Sequence, residues 1–117
     1  MNDCIFCKIV RGEIPAKKVY EDAEILGFHD IRPQAPVHFM LIPKRHIDSL
    51  AEVTADDAGM LGRLLALSGR LAREQGSPGG YRTIINTGRI GRQEVMHLHI
   101  HVIGGPTVLG PMLPRPH

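Results

Sequence analysis

The chain has 117 residues, of which 43% are hydrophobic and 22% charged, a composition typical of soluble globular proteins. Its length favours one domain over residues 1–117, its net charge of +2 is too small to indicate a nucleic-acid partner, and no apolar stretch approaches the roughly 20 residues of a membrane span. The N-terminus lacks the features of a signal peptide, so we expect a cytoplasmic protein without nucleic-acid or membrane partners.

The first part of the chain predicts a short helix followed by three strands. The helix covers residues 4–11 and ends at Gly12, because glycine readily adopts the left-handed conformation of a helix C-cap. The residue pattern predicts strands at 17–21, 24–30 and 37–42. The third of these strands is apolar enough to be central in a sheet.

The clearest helix is predicted over residues 54–75. Thr54 can cap its N-terminus, with Asp57 three residues later as the acidic member of a capping box. An apolar stripe at helical spacing is formed by Leu61, Leu64, Leu65, Leu71 and Ala72. This stripe predicts that the helix packs against the sheet.

Two further strands are predicted at 81–87 and 96–103, followed by an irregular, proline-containing tail over 104–117. Hairpin-like connections dominate the predicted order of elements. The sequence therefore predicts an α+β fold, with a five-stranded antiparallel sheet, one long helix and one short helix.

The last predicted strand holds three of the chain's seven histidines at alternate positions. Alternate side chains of a strand point to opposite faces, so His97, His99 and His101 are predicted to share the face away from the helix. Three explanations are open: an exposed strand face, a zinc site built from His-x-His, and nucleophilic catalysis at phosphorus. Imidazole suits the last of these because much of it is unprotonated near neutral pH.

The segment 97–103 resembles the signature of the histidine triad superfamily, in which three histidines alternate with apolar residues. Similarity to the Hint branch of this superfamily extends over nearly the whole chain. It is carried by Ile5-Phe6, Glu13-Ile14-Pro15, Phe28-His29-Asp30-Ile31, Pro33-Gln34-Ala35-Pro36, His38, Pro43-Lys44, Asn86, Gly104-Gly105-Pro106 and Leu109-Gly110-Pro111-Met112-Leu113.

The resemblance implies a histidine triad fold, a homodimer, and hydrolysis of the P–N bond of purine nucleoside 5′-phosphoramidates and related acyl nucleotidates. His99 would attack the α-phosphorus of the purine nucleotide conjugate, and water would resolve the nucleotidyl-histidine intermediate. By the same resemblance, the His97 carbonyl holds Nδ1 of His99, and His101 stabilises charge on the phosphate. His38 matches a supporting histidine of the family, although a satisfied core histidine explains it equally well.

The resemblance also assigns residues to nucleotide binding. Asp30 matches a carboxylate that accepts from the ribose hydroxyls, and Asn86 matches a residue near the phosphate and ribose. The remaining residues assigned to the nucleotide are Ile5, Phe6, Phe28, His29, Ile31 and Val95. The apolar members of this set could also be simple core residues.

Two positions before the histidines depart from the family pattern. Glu94 takes the place of a serine that assists the leaving amine in some members, and a protonated carboxyl group could donate to that amine instead. Arg92 replaces a glycine, and its side chain either contacts the phosphate or points to solvent.

Cys4 and Cys7 have the spacing of half a tetrahedral zinc site. The resemblance implies that His46 and His97 complete a closed, structural zinc site. The alternative is a pair of reduced thiols without a metal.

Other functions are open at this level. They are a metallohydrolase with zinc on the three histidines, a nucleotide-binding or scaffolding module without relevant turnover, and a dinucleoside polyphosphate hydrolase of a neighbouring branch. The Hint-like segment 33–36 and the C-terminal tail argue against the last of these.

Overall fold

The computed structural model describes residues 4–113, which form a five-stranded antiparallel sheet with one helix on each face. The elements are α1 (Ile5–Val10), β1 (Lys18–Glu21), β2 (Ile25–His29), β3 (Val37–Pro43), two 3₁₀ turns (Leu50–Glu52 and Ala55–Asp57), α2 (Ala58–Glu74), β4 (Tyr81–Ile84) and β5 (Ile100–Gly104). The strand order is β1-β2-β3-β5-β4, with β3 in the centre as predicted. The predicted α+β fold is confirmed.

Both helices begin at polar or sulfur-containing caps. Cys4 caps α1, and its Sγ accepts a hydrogen bond from the Cys7 N–H at 3.4 Å. Gly12 follows α1 with φ of +79°, the left-handed conformation predicted for it. Thr54 and Asp57 form the predicted capping box, but it caps the N-terminus of the second 3₁₀ turn, so α2 itself begins four residues later than predicted.

The inner strands β2 and β3 are buried on both faces, which accounts for two separate apolar clusters. The cluster under α2 consists of Ile25, Val37, Phe39, Leu41, Leu64, Leu71, Ala72, Ile100 and Val102. The cluster under α1 consists of Phe6, Leu26, Phe28, Met40 and Ile42. Leu65 was predicted in the apolar stripe of α2 but is 48% exposed, because it lies on the side of the helix turned away from the sheet.

Truncation of the α2 stripe should destabilise the protein. Leu71 is fully buried against the sheet, so Leu71→Ala is expected to lower the free energy of unfolding by about 2–5 kcal/mol. Urea unfolding of wild type and variant measures this change. Leu113→Ala is the matched control, because Leu113 is exposed and its truncation should change stability by less than about 0.5 kcal/mol. Equal losses in the two variants would contradict the packing described above.

The strand that was predicted over 96–103 begins only at Ile100, so the predicted boundary is wrong for His97 and His99. The His97 N–H donates to the Val95 carbonyl, and the Leu98 N–H donates to the Ile47 carbonyl, so neither joins the strand ladder. Ile100 and Val102 do pack under α2, as the alternation predicted.

The remaining boundaries differ from prediction by smaller amounts. β4 ends at Ile84, which leaves Asn86 in the connection to β5. After β5, residues 105–113 contain no helix or strand, and the rest of the predicted tail, 114–117, lies outside the described residues. Within 4–113, neither helix has the length and hydrophobicity needed to cross a membrane.

Candidate active site and metal centre

A cleft of about 870 Å³ opens on the α1 side of the sheet, a volume suited to a small-molecule ligand. Seven residues that the sequence assigned to the site line it: Ile5, Phe6, Phe28, His29, Asp30, Ile31 and His38. Ile31 is 92% exposed and therefore forms the rim of the cleft. Ile9, Ile14 and Met40 add apolar surface that the sequence did not predict for this site.

Two residues of the cleft connect it to the histidines. The Phe6 ring meets the His99 ring edge-on, with centroids 5.2 Å apart, and the His38 ring lies 5.1 Å from that of His101. His99 and His101 lie beside the cleft and are not among its lining residues, and the same holds for three further residues assigned to the substrate. Val95 packs against the apolar cluster under α1, Asn86 is half-buried, and Glu94 is exposed.

His99 is held so that one ring nitrogen is free. Its Nδ1 lies 2.7 Å from the backbone carbonyl oxygen of His97, and a carbonyl can only accept, so Nδ1 carries the proton. In the neutral ring, Nε2 then bears the unprotonated lone pair. His99 is 5% exposed, which limits its rotation and keeps this orientation.

His38 and His101 form a second hydrogen-bonded unit with a defined order of protons. The Gln34 N–H donates to Nδ1 of His38 at 3.0 Å, so the proton of neutral His38 is on Nε2. That Nε2 lies 2.9 Å from Nδ1 of His101, which must accept. Neutral His101 therefore carries its proton on Nε2.

The pKa of His101 is lowered to about 4, mainly by burial, with His99 and His38 acting in the same direction and Asp30 opposing them. Burial also lowers the pKa of His38, against the opposing charge of Asp30. Both rings are thus neutral near pH 7, in agreement with the proton order given above.

Stability should fall in acid because of His101. Between its ordinary pKa near 6.5 and about 4, the unfolded chain binds a proton that the native state does not. The free energy of unfolding is therefore expected to decrease as the pH falls through this window, by up to about 3 kcal/mol from this group. Urea unfolding from pH 7 to pH 4 of wild type and His101→Asn tests this. An equally steep pH dependence in the variant would contradict it.

A second cluster lies between α1 and the start of β5. Ligand atoms of Cys4, Cys7, His46 and His97 all lie within 4.8 Å of one another. The Sγ to Nδ1 distances are 3.4 Å for Cys4–His97, 3.2 Å for Cys7–His46 and 3.5 Å for Cys7–His97. A tetrahedral zinc site places such atoms about 3.6 Å apart, so the donor set fits zinc.

The other ring nitrogen of each histidine supports this fit. Nε2 of His97 lies 2.7 Å from the Pro43 carbonyl, and Nε2 of His46 lies 2.6 Å from the Asp48 carboxylate. Both acceptors place the proton on Nε2 and leave Nδ1 unprotonated toward the thiols, as metal-binding histidines require. Burial also lowers the pKa of His97, which favours the neutral ring.

Zinc bound by the active-site histidines is disfavoured by the same reasoning. Asp30, His38 and His101 do bring ligand atoms within 4.8 Å of one another. A metal on Nε2 of His38 would move the ring proton to Nδ1, where it would face the Gln34 N–H. Because two donors would then oppose each other, the hydrogen bonds favour a proton-ordering unit over a metal site at this position.

Three contacts that support the histidines were not predicted from the sequence. Asp48 pairs with His46, the Gln34 backbone orders His38, and Gln93 secures the loop before His97. The Gln93 side chain donates to the carbonyls of Asp48 and Val95 at 2.7 and 2.9 Å. The carboxylate two residues after His46 was the one visible signal, because the contacts of Gln34 and Gln93 involve backbone groups, which residue type does not reveal.

Arg92 has a left-handed backbone with φ of +62° and an exposed side chain. This conformation explains why glycine suits the position, since a residue with a Cβ pays roughly 1–2 kcal/mol there. Of the two orientations considered for the Arg92 side chain, the structure shows the exposed one, on a strained backbone.

An antiparallel α+β fold with closely spaced histidines next to a ligand-sized cleft defines a histidine triad protein. The family model described as "Scavenger mRNA decapping enzyme C-term binding" matches residues 3–110. Protein HitA of Neisseria gonorrhoeae is 50% identical over 106 residues, which cover 91% of this chain and 99% of HitA. This chain belongs to the histidine triad family.

Solved structures agree with this assignment. A HIT family hydrolase from Legionella pneumophila Philadelphia 1 is 47% identical with a TM-score of 0.87, over 93% of this chain and 98% of that one. A histidine triad protein from Clostridium difficile is 41% identical with a TM-score of 0.88, over 96% of this chain and 98% of that one.

Proposed function

We propose that this protein hydrolyses the P–N bond of purine nucleoside 5′-phosphoramidates, and of related acyl nucleotidates, through a covalent intermediate on His99. The observation that carries the proposal is the 2.7 Å hydrogen bond from Nδ1 of His99 to the His97 carbonyl, which leaves Nε2 free to attack phosphorus. The similarity to a protein named a HIT family hydrolase supports a hydrolytic reaction.

The cleft suits the nucleoside part of such a substrate. Phe6 and Phe28 offer apolar surface for a purine, and Asp30 offers a carboxylate for the ribose hydroxyls. Phe6 also touches His99, so a base bound in the cleft would bring its α-phosphate toward the histidines. Asn86 and Val95 are the further candidates for contact near the phosphate.

The reaction proceeds in two displacements at phosphorus. Nε2 of His99 attacks, the P–N bond breaks, and the departing amine takes up one proton, for which Glu94 is the candidate donor. Water then attacks phosphorus, the P–Nε2 bond breaks, and Glu94 recovers a proton as the nucleoside monophosphate leaves. His101 presents its Nε2–H to the phosphoryl oxygens, and the His97 carbonyl stabilises the Nδ1–H of His99 throughout.

We further propose that zinc occupies the Cys4, Cys7, His46 and His97 cluster in a structural role. The four donors would close its coordination shell, leaving no position for substrate. Bound metal would tie α1 to the segment before β5, because the His97 ring lies in this cluster while its carbonyl holds His99.

A homodimer is also proposed, and the surface around β4 supports it. β4 is an edge strand, Leu65 and Tyr81 are 48% and 41% exposed, and the Tyr81 hydroxyl bonds to Ser68 one turn along α2 from Leu65. These residues therefore lie on one side of the molecule, where a second copy could extend the sheet.

Substitution within this surface should break the dimer. Leu65→Asp is expected to sediment as a monomer at concentrations where wild type sediments as a dimer, because a carboxylate cannot be buried there without a partner. Ile90→Asp changes an exposed loop residue and should leave the sedimentation coefficient unchanged. A monomeric wild type would contradict the proposal.

The decisive experiment is turnover of adenosine 5′-phosphoramidate, followed by ³¹P NMR, with and without a chelator. Release of AMP and ammonia by wild type in both conditions supports a histidine mechanism with any zinc in a structural role. Loss of turnover on chelation of a protein that stays folded would indicate a metallohydrolase. Binding of AMP without turnover would indicate a nucleotide-binding module, and cleavage of dinucleoside polyphosphates instead would indicate a neighbouring branch.

A further inference from the structure

The Asp30 carboxylate lies between the cleft and the histidine pair formed by His38 and His101. One oxygen accepts the Arg32 N–H at 2.8 Å, which fixes the carboxylate in a local turn. The other oxygen lies 3.3 Å from Nε2 of His38 and 4.0 Å from Nδ1 of His101. The side chain is 17% exposed and lines the cleft, so a bound ligand and both rings can reach it.

We propose that Asp30 is a positioning residue that acts through His38 to keep the proton of His101 on Nε2, in addition to any contact with the ribose. This inference rests on the proposed function, because it assigns a second task to a residue of the same site. The shared atom is the Nε2–H of His38, which faces both the carboxylate and His101.

The proton position in the His38–His101 pair is set at the two ring nitrogens of His38. The Gln34 N–H fixes one end by donating to Nδ1 of His38. At the other end, the negative charge of Asp30 favours a proton on the facing Nε2 atom. Without that charge, the proton of His38 could move to its Nδ1, which would break the hydrogen bond from the Gln34 N–H. Nε2 of His38 could then accept a hydrogen bond from a protonated Nδ1 of His101. His101 would then present a lone pair, not an N–H, to the phosphoryl group.

A residue that only bound ribose would behave differently. Its removal would weaken binding of ribonucleotides and have no effect on substrates without the 2′- and 3′-hydroxyls. A residue that orders His101 lowers the rate of the chemical step with either sugar. The effect of Asp30 on kcat should also depend on His38, because Nε2 of His38 lies nearer to the carboxylate than Nδ1 of His101 does, at 3.3 against 4.0 Å, and is itself hydrogen-bonded to that Nδ1.

The kinetic test is a double-mutant cycle with Asp30→Asn and His38→Gln, measured on adenosine 5′-phosphoramidate and its 2′,3′-dideoxy analogue. Asp30→Asn should lower kcat on the order of tenfold with both substrates and raise KM only with the ribonucleotide. In the His38→Gln background, Asp30→Asn should have no further effect on kcat. An Asp30→Asn effect confined to KM of the ribonucleotide would overturn the proposal.

A second measurement does not depend on hydrolysis. In ¹⁵N-histidine-labelled free protein, long-range ¹H–¹⁵N spectra at pH 7 should show a protonated Nε2 and an unprotonated Nδ1 for wild-type His101. Asp30→Asn should give a mixture of the two tautomers. It should also move the His101 titration to lower pH, since His99, His38 and Asp30 are the titratable groups that face this ring. Asp56→Asn, which changes an exposed carboxylate, should leave the spectrum as in wild type.

The two proposals can fail separately. If wild type shows this tautomer and Asp30→Asn disturbs it while no phosphoramidate is cleaved, the positioning role holds and the proposed function does not. If phosphoramidate is cleaved but the His101 tautomer is unchanged in Asp30→Asn, the positioning role is overturned.

Discussion

Replacing His99 by alanine is expected to lower kcat for adenosine 5′-phosphoramidate by roughly 10⁴-fold or more. The variant lacks Nε2 of His99, which is free to attack phosphorus because the hydrogen bond to the His97 carbonyl is made by Nδ1. KM should change little, because the apolar cleft and Asp30 remain in place. Steady-state kinetics on the purified variant measure both parameters.

Trapping of the intermediate gives an independent result. Acid quenching of wild type during turnover should yield protein with one added adenylyl group on His99, detected by mass spectrometry, and His99→Ala should yield none. His29→Ala is the matched control, because His29 lines the cleft and is expected to affect KM with kcat preserved. Full turnover by His99→Ala, or an adduct on another residue, would refute the assignment of the nucleophile.

Replacing Cys7 by serine is expected to remove bound zinc and to lower the free energy of unfolding by several kcal/mol. Cys7 is buried, and its Sγ lies 3.2 and 3.5 Å from Nδ1 of His46 and His97, so a serine hydroxyl would replace the central thiolate of the cluster. A metal that binds only the native state stabilises it by about 4 kcal/mol when free metal is ~1000-fold above Kd. Elemental analysis and urea unfolding, with and without chelator, measure both effects.

Asp48→Asn gives a graded comparison. This change keeps the shape of the side chain that orients His46 but removes its charge, and loss of such a supporting contact weakens metal binding by about 10–100-fold. Zinc affinity should therefore fall in the order wild type, Asp48→Asn, Cys7→Ser. Metal-free wild type that unfolds at the same urea concentration as zinc-treated protein would show that the cluster is a pair of reduced thiols.

Much of the fold could be predicted because its signals are local. Residue type and turn signals located the strands, Gly12 followed the end of α1 as predicted, and the Thr54–Asp57 capping box was present as expected. The boundaries were least accurate where tertiary hydrogen bonds compete with the ladder. The start of β5 is the clearest case, since the N–H of Leu98 is taken by Ile47, which is distant in sequence.

The residues of the candidate site could also be predicted, but the positions of some of them could not. Histidine spacing and family resemblance identified its residues, and the structure gathers seven of them around one cleft. The sequence could not predict that Leu65 faces away from the sheet, or that Asn86 and Glu94 lie off the cleft wall. These positions depend on how loops and helices pack, and a linear pattern carries little information about such packing.

The sequence by itself determined the chemistry available to this protein: which imidazoles, thiols and carboxylates it has, and which elements carry them. The tertiary structure decided the state of those groups, of which the family resemblance had implied only the bond between Nδ1 of His99 and the His97 carbonyl. The Gln34 amide, the His97 carbonyl and the Pro43 carbonyl determine which nitrogen of three different rings carries the proton. These partners are backbone groups, which nearly all residues share (only proline lacks the N–H), so their identity depends on three-dimensional proximity and hardly on residue type.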